Sequence, residues 1–266
     1  MQLVMWGPSA SGKTIFLAQL FLQPETPGWA VRAKPEAVQE VERLAKRMRG
    51  ENAFPPPTTV GVSPDLNFRL IQESTGASAD IVIKDRAGAE SEALDERSFD
   101  LIRGASGLLL MFDHTREPSA LLTEVQLTML KLYADRETQA AGQAVRHKDP
   151  RPIAICLTKA DLLMQTPKDL ARSISTPDAF VRESLDRRIV QCVEGYCERI
   201  AFFPVSSVGL RVRLGAVDPV VFLDEELGLR LGHLETPVNL IEPFAWIFGE
   251  VSRHAGRSAA SPEAAS

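Results

Sequence analysis

Six short apolar runs alternate along this chain with segments of helical periodicity. The runs are MQLVMW (1–6), DLNFRLIQ (65–72), ADIVIK (79–84), GLLLMFD (107–113), PIAICLT (152–158) and RIAFFPV (199–205). Strands that are apolar on both faces are typical of parallel sheets, in which the intervening helices cover both sides. The alternation therefore predicts an α/β fold with a mainly parallel six-stranded sheet and helices on both faces.

Five segments repeat apolar residues at helical spacing, and they are 14–22, 35–49, 119–133, 176–199 and 239–254. In the fourth segment Thr176 is an expected N-cap and Pro177 occupies the first helical position. A chain of 266 residues that is 44% apolar can bury one substantial core. We therefore expect one domain over 1–254. We expect this domain to carry insertions at about 24–57 and about 210–234, of which the second is β-rich. A disordered tail is expected to follow it over 255–266.

Composition excludes several classes of protein. No run approaches the ~20 apolar residues of a membrane span, and the start MQLVMWG lacks the features of an export signal, so we expect a cytoplasmic protein without integral membrane contact. A formal net charge of -5 argues against nucleic acid as a partner. Three scattered cysteines fit a reducing compartment without a disulfide framework.

The segment GPSASGKT, residues 7–14, follows the first apolar run and opens the first helical segment. It matches the G-x-x-x-x-G-K-[ST] phosphate loop, whose backbone N–H groups surround phosphate at the start of a helix. Lys13 would then reach the β and γ phosphates, and the Thr14 hydroxyl would bind Mg²⁺. The expected nucleotide-binding residues here are Gly7, Ser9, Ala10, Ser11, Gly12, Lys13 and Thr14. A Gly/Ser-rich turn before a helix is the alternative.

Two further segments indicate which base is bound. TKAD, residues 158–161, follows the fifth apolar run, and its Asp161 can accept two parallel hydrogen bonds from the N1–H and N2 amino group of guanine, while the stem of Lys159 lies along the purine. VSSVG, residues 205–209, follows the sixth run, and its turn at Ser206 and Ser207 can offer a backbone N–H to guanine O6. Taken singly, each segment is also compatible with an ordinary polar turn. Thr158 completes the residues expected at the base.

The segment KDRAGAE, residues 84–90, places Asp85 at the end of a strand and Gly88 three residues later. In this D-x-x-G arrangement the carboxylate of Asp85 holds Mg²⁺ through water and the Gly88 N–H bonds the γ-phosphate. In PPPTTVG, Thr59 is the expected residue that closes the Mg²⁺ shell, with Thr58 as the second choice. Thr14, Thr59 and Asp85 are thus the candidate metal-binding residues.

Taken together, GPSASGKT, TTVG, DRAG, TKAD and SSVG resemble, in order and position, the motifs of Ras-like small GTPases in the translation-factor-related class of P-loop GTPases. The resemblance covers roughly residues 1–209 and the closing helix, and TTVG is most similar to the Arf-like branch. The long chain, the late insertion and the proline-led closing helix ETPVNLIEPFAWIFGE also look like those of bacterial GTPases of multi-gene conflict systems, including the double-GTPase families. The resemblance implies a P-loop GTPase fold, GTP or GDP as ligand, and Mg²⁺.

Two positions depart from the Ras-like pattern. Ala89 stands where the glutamine that orients the attacking water is usual, so Glu90, Arg86 or a partner must place the water. Ser9 stands where glycine is usual, and its side chain could hinder a catalytic group that arrives from a partner. Arg86 can stabilise transition-state charge or simply pair with Glu90 or Glu92. The candidate catalytic residues are Lys13, Arg86, Gly88 and Glu90.

These observations favour a guanine-nucleotide switch that hydrolyses GTP slowly with Mg²⁺ and needs a partner for catalysis. The alternatives are a GTP-binding interaction module that scarcely hydrolyses and an ATP-using P-loop NTPase. The expected partner is an effector or activating protein, and a homo- or hetero-oligomer is left open. Asp113 and His114 are expected at the same sheet edge, where helix capping or loop hydrogen bonding explains them better than catalysis.

Overall fold

The structure is a computed structural model that describes residues 1–8, 10–23, 26–54, 67–83, 96–139, 148–218, 220–224 and 228–259. Its strands are β1 (Gln2–Trp6), β2 (Trp29–Ala33), β3 (Asn67–Gln72), β4 (Ser78–Ile83), β5 (Gly107–Asp113), β6 (Asp149–Thr158), β7 (Cys197–Pro204), β8 (Arg211–Arg213), β9 (Ala216–Asp218), β10 (Val221–Asp224) and β11 (Gly228–Leu231). Its helices are α1 (Lys13–Leu22), α2 (Pro35–Ala45), α3 (Glu96–Arg103), α4 (Pro118–Gln139), α5 (Pro167–Ser175), α6 (Pro177–Ser184), α7 (Arg187–Tyr196) and α8 (Glu242–Ala259).

Seven strands form the main sheet in the order β2-β3-β4-β1-β5-β6-β7. The pairs from β4 through β7 are parallel, whereas β2 pairs antiparallel with β3 and β3 antiparallel with β4. The predicted α/β class with a mainly parallel sheet is confirmed, but the predicted number of six strands is wrong. The additional strand β2 lies within the insertion expected at 24–57, and it extends the sheet beyond β3.

Alternate residues of the central strands enter two different cores. Leu3, Met5, Leu109 and Met111 pack on one face with α1, α2 and α8. The other face of the sheet packs against α3, α4, α6 and α7. The buried strand residues on this face include Val4, Leu108, Leu110, Phe112, Ile153, Ile155 and Leu157. Because side chains alternate across a strand, burial on both faces explains why these strands are continuously apolar in sequence.

The segment predicted as one helix over 176–199 is divided in two. α6 ends at Ser184, and α7 begins after Asp186, whose carboxylate accepts a hydrogen bond from the backbone N–H of Arg188. The apolar stripe continues through the break because both helices pack on the same face of the sheet. The predicted end is also three residues too late, since β7 begins at Cys197.

Two further helices were not anticipated, α3 and α5. The second carries a capping box, in which Thr166 and Asp169 exchange hydrogen bonds with each other's backbone. The segment 35–49 forms α2 followed by one π-helical turn, Lys46–Gly50.

The second insertion is β-rich, as predicted for 210–234. It contains two antiparallel pairs, β8 with β9 and β10 with β11. The closing helix α8 spans Glu242–Ala259, so it begins three residues later and ends five residues later than the predicted 239–254. The remaining tail residues lie outside the described part of the chain.

The fold brings the carboxyl ends of β1, β5, β6 and β7 to one edge of the sheet, which is where ligands bind in open α/β folds. Over the described ranges, none of the helices has both the length and the apolar character that a membrane span requires. Cys156, Cys192 and Cys197 are free thiols, and burial raises the pKa of Cys197 to about 12.

Candidate functional site

The loop between β1 and α1 is held in a conformation that only small residues allow. A Cβ atom on Gly7 would lie 2.4 Å from the carbonyl oxygen of Met111, so glycine is required for the loop to approach β5. Ala10 and Gly12 both have left-handed backbone angles, with φ of 62° and 84°. Such angles turn successive backbone N–H groups into a concavity of the kind that binds phosphate.

The side chain of Lys13 lies folded against this loop. Its Nζ donates to the carbonyl oxygens of Gly7 and Pro8, each at 2.8 Å, and to Ser11 Oγ at 3.3 Å. The residue is only 3% exposed. An ammonium group is therefore already buried within the concavity, where it can exchange carbonyl contacts for phosphate oxygens.

The start of α1 fits an anion for a second reason. Gly12 is the N-cap of α1 and provides no side-chain hydrogen bond to the first turn of the helix. The N-terminal N–H groups of a helix carry partial positive charge and favour a phosphate. Thr14 is the second residue of α1, and a threonine hydroxyl at this position of a phosphate loop can bind Mg²⁺, so the residue types described here fit a magnesium–phosphate ligand.

The segment TKAD lies beside this loop. A Cβ atom on Gly12 would be 3.9 Å from the Cβ of Thr158, at the end of β6. Lys159 adopts the left-handed conformation (φ 57°, ψ 29°) and caps a single 3-10 turn, Ala160–Leu162. The N–H of Ala160 donates to the carbonyl of Val205 (3.0 Å), which fixes TKAD to the turn that follows β7.

Asp161 is held by that turn. Its Oδ1 accepts a hydrogen bond from Ser206 Oγ (2.9 Å), and Ser206 Oγ in turn accepts one from the N–H of Gly209 (3.1 Å). Gly209 has φ of 78°, and a Cβ there would lie 2.5 Å from the carbonyl oxygen of Thr236. The backbone geometry of Gly209 thus fixes the turn at 205–209, and Ser206 in that turn fixes the Asp161 carboxylate.

Burial raises the pKa of Asp161 above its usual value, and the hydrogen bond from Ser206 works in the opposite direction. A partly desolvated carboxylate gains more from donors that a ligand supplies than an exposed one does. The backbone N–H of Ser206 already donates to the carbonyl of Val238 (3.2 Å). Ser207 is the half-exposed residue of the turn and is better placed to offer its N–H to a ligand.

For Asp113, at the end of β5, the sequence predicts capping or loop hydrogen bonds, but not the contact that it makes with TKAD. Asp113 Oδ2 pairs with Lys159 Nζ at 2.5 Å, and Asp113 Oδ1 accepts from the N–H (3.0 Å) and Oγ1 (2.7 Å) of Thr115. Burial alone would raise the pKa of Asp113, but hydrogen bonds from Lys159 and Thr115 more than offset it, so that the pKa lies below its usual value. The sequence signal is a polar Asp113 directly after the apolar run 107–112.

The structure brings together the residues expected at the phosphate and the base. These are Gly7, Ala10, Ser11, Gly12, Lys13, Thr14, Thr158, Lys159, Asp161, Ser206 and Ser207. Ser9, Thr58, Thr59, Asp85, Arg86, Gly88, Ala89 and Glu90 lie outside the described residues. The predicted roles of Thr59 and Asp85 at Mg²⁺ and of Arg86, Gly88 and Glu90 in catalysis therefore stay predictions.

Comparisons with solved structures find small GTP-binding proteins. The chain is similar to the Arl6 (BBS3) small GTPase of Trypanosoma brucei with bound GppNp, at 15% identity over 95% of this chain and 98% of that one, with a TM-score of 0.42. It is also similar to an ADP-ribosylation-factor-like GTP-binding protein (SAR1) of Encephalitozoon cuniculi in complex with GDP, at 12% identity over 97% and 82% of the two chains, with a TM-score of 0.42.

A third similar structure is a GTP-binding protein of the archaeon Sulfolobus solfataricus in complex with GDP. It is 15% identical over 77% of this chain and 46% of that one, with a TM-score of 0.37. This chain therefore spans about half the length of that archaeal protein. No curated protein matches the chain.

A family model described as Double-GTPase 2 matches residues 4–207. This match extends from β1 to the turn after β7 and so includes the phosphate loop, TKAD and Ser206. It confirms the resemblance to the double-GTPase families that the sequence analysis named. Because the match covers well over half of the chain, the chain belongs to the double-GTPase 2 family.

Proposed function

We propose that this chain binds guanine nucleotides with Mg²⁺, hydrolyses GTP slowly to GDP and phosphate, and acts as a molecular switch. The observation that carries the proposal is the position of Asp161. Its carboxylate is fixed by Ser206, and it belongs to a segment that lies beside the phosphate loop at Gly12. A carboxylate there accepts from the N1–H and N2 amino group of guanine, whereas the adenine edge supplies no such pair of donors.

Lys13, Thr14 and the N–H groups of the loop bind the phosphates in this proposal. Thr14 would hold Mg²⁺ together with Thr59 and, through water, Asp85. When bound, Mg²⁺ neutralises charge on the phosphate oxygens. The chain itself would orient the triphosphate between the start of α1 and the turn at 205–209, and the proposed role of the Gly88 N–H is to bond the γ-phosphate.

Slow hydrolysis follows from Ala89, which has no group that can orient the attacking water. Glu90 or Arg86, or an activating protein, would have to supply that function. The proposed partner is therefore a protein that acts as activator or effector, and the GTP and GDP states would differ at residues 50–64 and 85–98. Family membership supports the guanine assignment, since the family is one of GTPases.

The test is binding of mant-GTP in the presence of Mg²⁺, with GTP, GDP and ATP as competitors, followed by phosphate release over several hours on the same sample. We expect GTP and GDP to compete, ATP to fail, and phosphate release to be slow. Effective competition by ATP would overturn the guanine assignment. Rapid hydrolysis by the isolated chain would overturn the need for a partner.

A further inference from the structure

The end of β5 is bonded to the TKAD segment by three contacts from consecutive residues. Thr158 Oγ1 donates to the carbonyl of Phe112 (3.1 Å), and His114 Nδ1 donates to the carbonyl of Thr158 (2.8 Å). Lys159 Nζ donates to Asp113 Oδ2 (2.5 Å). The first two contacts hold Thr158 by its hydroxyl and by its carbonyl, and the third fixes the far end of the lysine side chain.

The backbone of Lys159 needs this support. A lysine at φ 57° is in the left-handed region, which is unfavourable for residues with a Cβ and persists where neighbouring groups determine it. The N–H of Ala160, bonded to the Val205 carbonyl, holds the other side of the residue. Lys159 is therefore constrained at its backbone on both sides and at its ammonium group.

Asp113 is a rigid anchor for that ammonium group. Only 6% of its side chain is exposed, and its second oxygen is held by the N–H and hydroxyl of Thr115 at the turn before α4. The Lys159 side chain is 43% exposed. The four-carbon stem thus runs from a fixed backbone to a fixed carboxylate while part of it faces solvent.

We propose that Asp113 is a positioning residue for the base. It holds the Lys159 side chain in a fixed conformation, in which the apolar stem packs against a guanine bound to Asp161. This inference rests on the proposed function, because it requires guanine at Asp161. A lysine that is already ordered loses little rotamer freedom when the base arrives, so the anchor raises affinity for the nucleoside part of the ligand. Asp113 does not change the affinity for the phosphate groups, because they bind the loop at Lys13.

An ion pair that only stabilises the fold would behave differently. Removing such an ion pair would destabilise the folded state, and the affinities for GDP and for inorganic pyrophosphate would fall by the same factor. A comparison of GDP with inorganic pyrophosphate therefore separates the two roles, since pyrophosphate occupies the phosphate loop and lacks a base.

The experiment measures Mg²⁺-dependent binding of mant-GDP to the wild-type chain and to Asp113→Asn, with unlabelled GDP and inorganic pyrophosphate as competitors. Asp135→Asn is the matched control. Asp135 is also 6% exposed and is paired with an arginine, Arg103, at 2.6 Å. Arg103 precedes β5 in sequence, so this pair lies at the opposite edge of the sheet from the site.

We expect Asp113→Asn to weaken GDP binding about tenfold and to leave competition by pyrophosphate unchanged. Asp135→Asn should change neither. Equal loss for GDP and pyrophosphate in Asp113→Asn, or GDP binding equal to wild type, would overturn the positioning role. Failure of the wild-type chain to bind mant-GDP would instead overturn the guanine proposal, and this inference with it.

A double-mutant cycle with Lys159→Met tests whether Asp113 acts through the lysine. Methionine keeps an apolar stem and removes the charge. If Asp113 acts through Lys159, the double variant binds GDP no worse than Lys159→Met alone, whereas independent roles give additive losses and contradict the proposal. Lys159→Met leaves the buried Asp113 carboxylate with only its hydrogen bonds from Thr115, whereas the double variant leaves no unpaired buried charge, so the Tm of all three variants is measured beside their GDP affinities.

Discussion

At the scale of single residues, Asp161 determines the choice of base in the proposed function. Replacing it with asparagine keeps its size and its contact with Ser206 but substitutes an N–H₂ donor for one acceptor. We expect Asp161→Asn to lose about 100-fold in affinity for GDP, because the guanine amino group then faces another donor. Xanthine has a carbonyl oxygen in place of that amino group, so XDP should bind the variant better than GDP does.

The measurement is competition of GDP, XDP and ADP against a mant-labelled nucleotide on both proteins. Asp169→Asn is a suitable control, since Asp169 caps α5 and its carboxylate bonds Thr166 at the surface. It should leave the order of affinities unchanged. An Asp161→Asn protein that still preferred GDP over XDP would contradict the role of TKAD.

The pH dependence of binding should also be set by Asp161. Guanine binds the ionised carboxylate, and burial raises the pKa of this group. GDP affinity should therefore fall with decreasing pH, starting at a higher pH than the ordinary aspartate value of about 3.9 implies. The Ser206 hydrogen bond lowers the pKa, so Ser206→Ala should move the loss of affinity to higher pH.

GDP titrations at a series of pH values, from about pH 4 to about pH 8, would measure this shift. Ser207→Ala is the control, because the hydroxyl that bonds Asp161 belongs to Ser206. Loss of affinity in Ser206→Ala at the same pH as in wild type, or at lower pH, would show that the hydrogen bond does not set the titration.

At the scale of elements, the β8–β9 hairpin has an unfavourable turn. Arg213 pairs with Ala216, so Leu214 and Gly215 form a two-residue loop in which both φ angles are positive, at 48° and 82°. This is the type I′ geometry, which favours Asn-Gly. Leu214 is fully exposed, so its apolar side chain gains no burial in return for its backbone strain.

Leu214→Asn should therefore raise the free energy of unfolding by about 1 kcal/mol. That corresponds to about 2–4 °C in Tm for a protein of this size. Gly215→Ala is the opposing control, since open space surrounds Gly215 and only its φ of 82° disfavours a Cβ. It should lower Tm. If the two variants shifted Tm in the same direction, the turn assignment would be wrong.

The degree of burial of each element explains why some elements could be predicted from the sequence and others could not. The central strands were predictable because burial on both faces leaves a continuous apolar run. β2 (Trp29–Ala33) is an edge strand that is only partly buried and includes an exposed Arg32, so its pattern is weak. The break before α7 was hidden because Leu185 and Ile189 continue one apolar stripe, although Asp186 carried the capping signal.

At the scale of the whole molecule, the contiguous parts of the site could be predicted and the assembled parts could not. GPSASGKT and TKAD each carry their chemistry within one short segment, and the fold places both at one edge of the sheet. The pair of Asp113 and Lys159 joins residues 46 positions apart, at the end of β5 and directly after the neighbouring strand β6. Such a contact depends on strand order, which local patterns do not encode.

This assembly predicts that nucleotide binding stabilises the entire fold. The ligand would bridge the loop after β1, the end of β6 and the turn after β7, and these segments lie far apart in sequence. A ligand that binds only the folded state at 100 times its Kd adds about 2.7 kcal/mol to the free energy of unfolding. With Mg²⁺ present, GDP should thus raise Tm by about 5–10 °C.

Thermal unfolding with Mg²⁺ and saturating GDP, and with ADP at the same concentration, measures this directly. ADP should give a far smaller shift, because it lacks the donors for Asp161. In Asp161→Asn the stabilising nucleotide should change from GDP to XDP while the Tm without nucleotide stays close to that of wild type. Equal stabilisation by GDP and ADP would mean that the phosphate loop alone holds the ligand. Asp161 and the turn at 205–209 would then contribute nothing to binding.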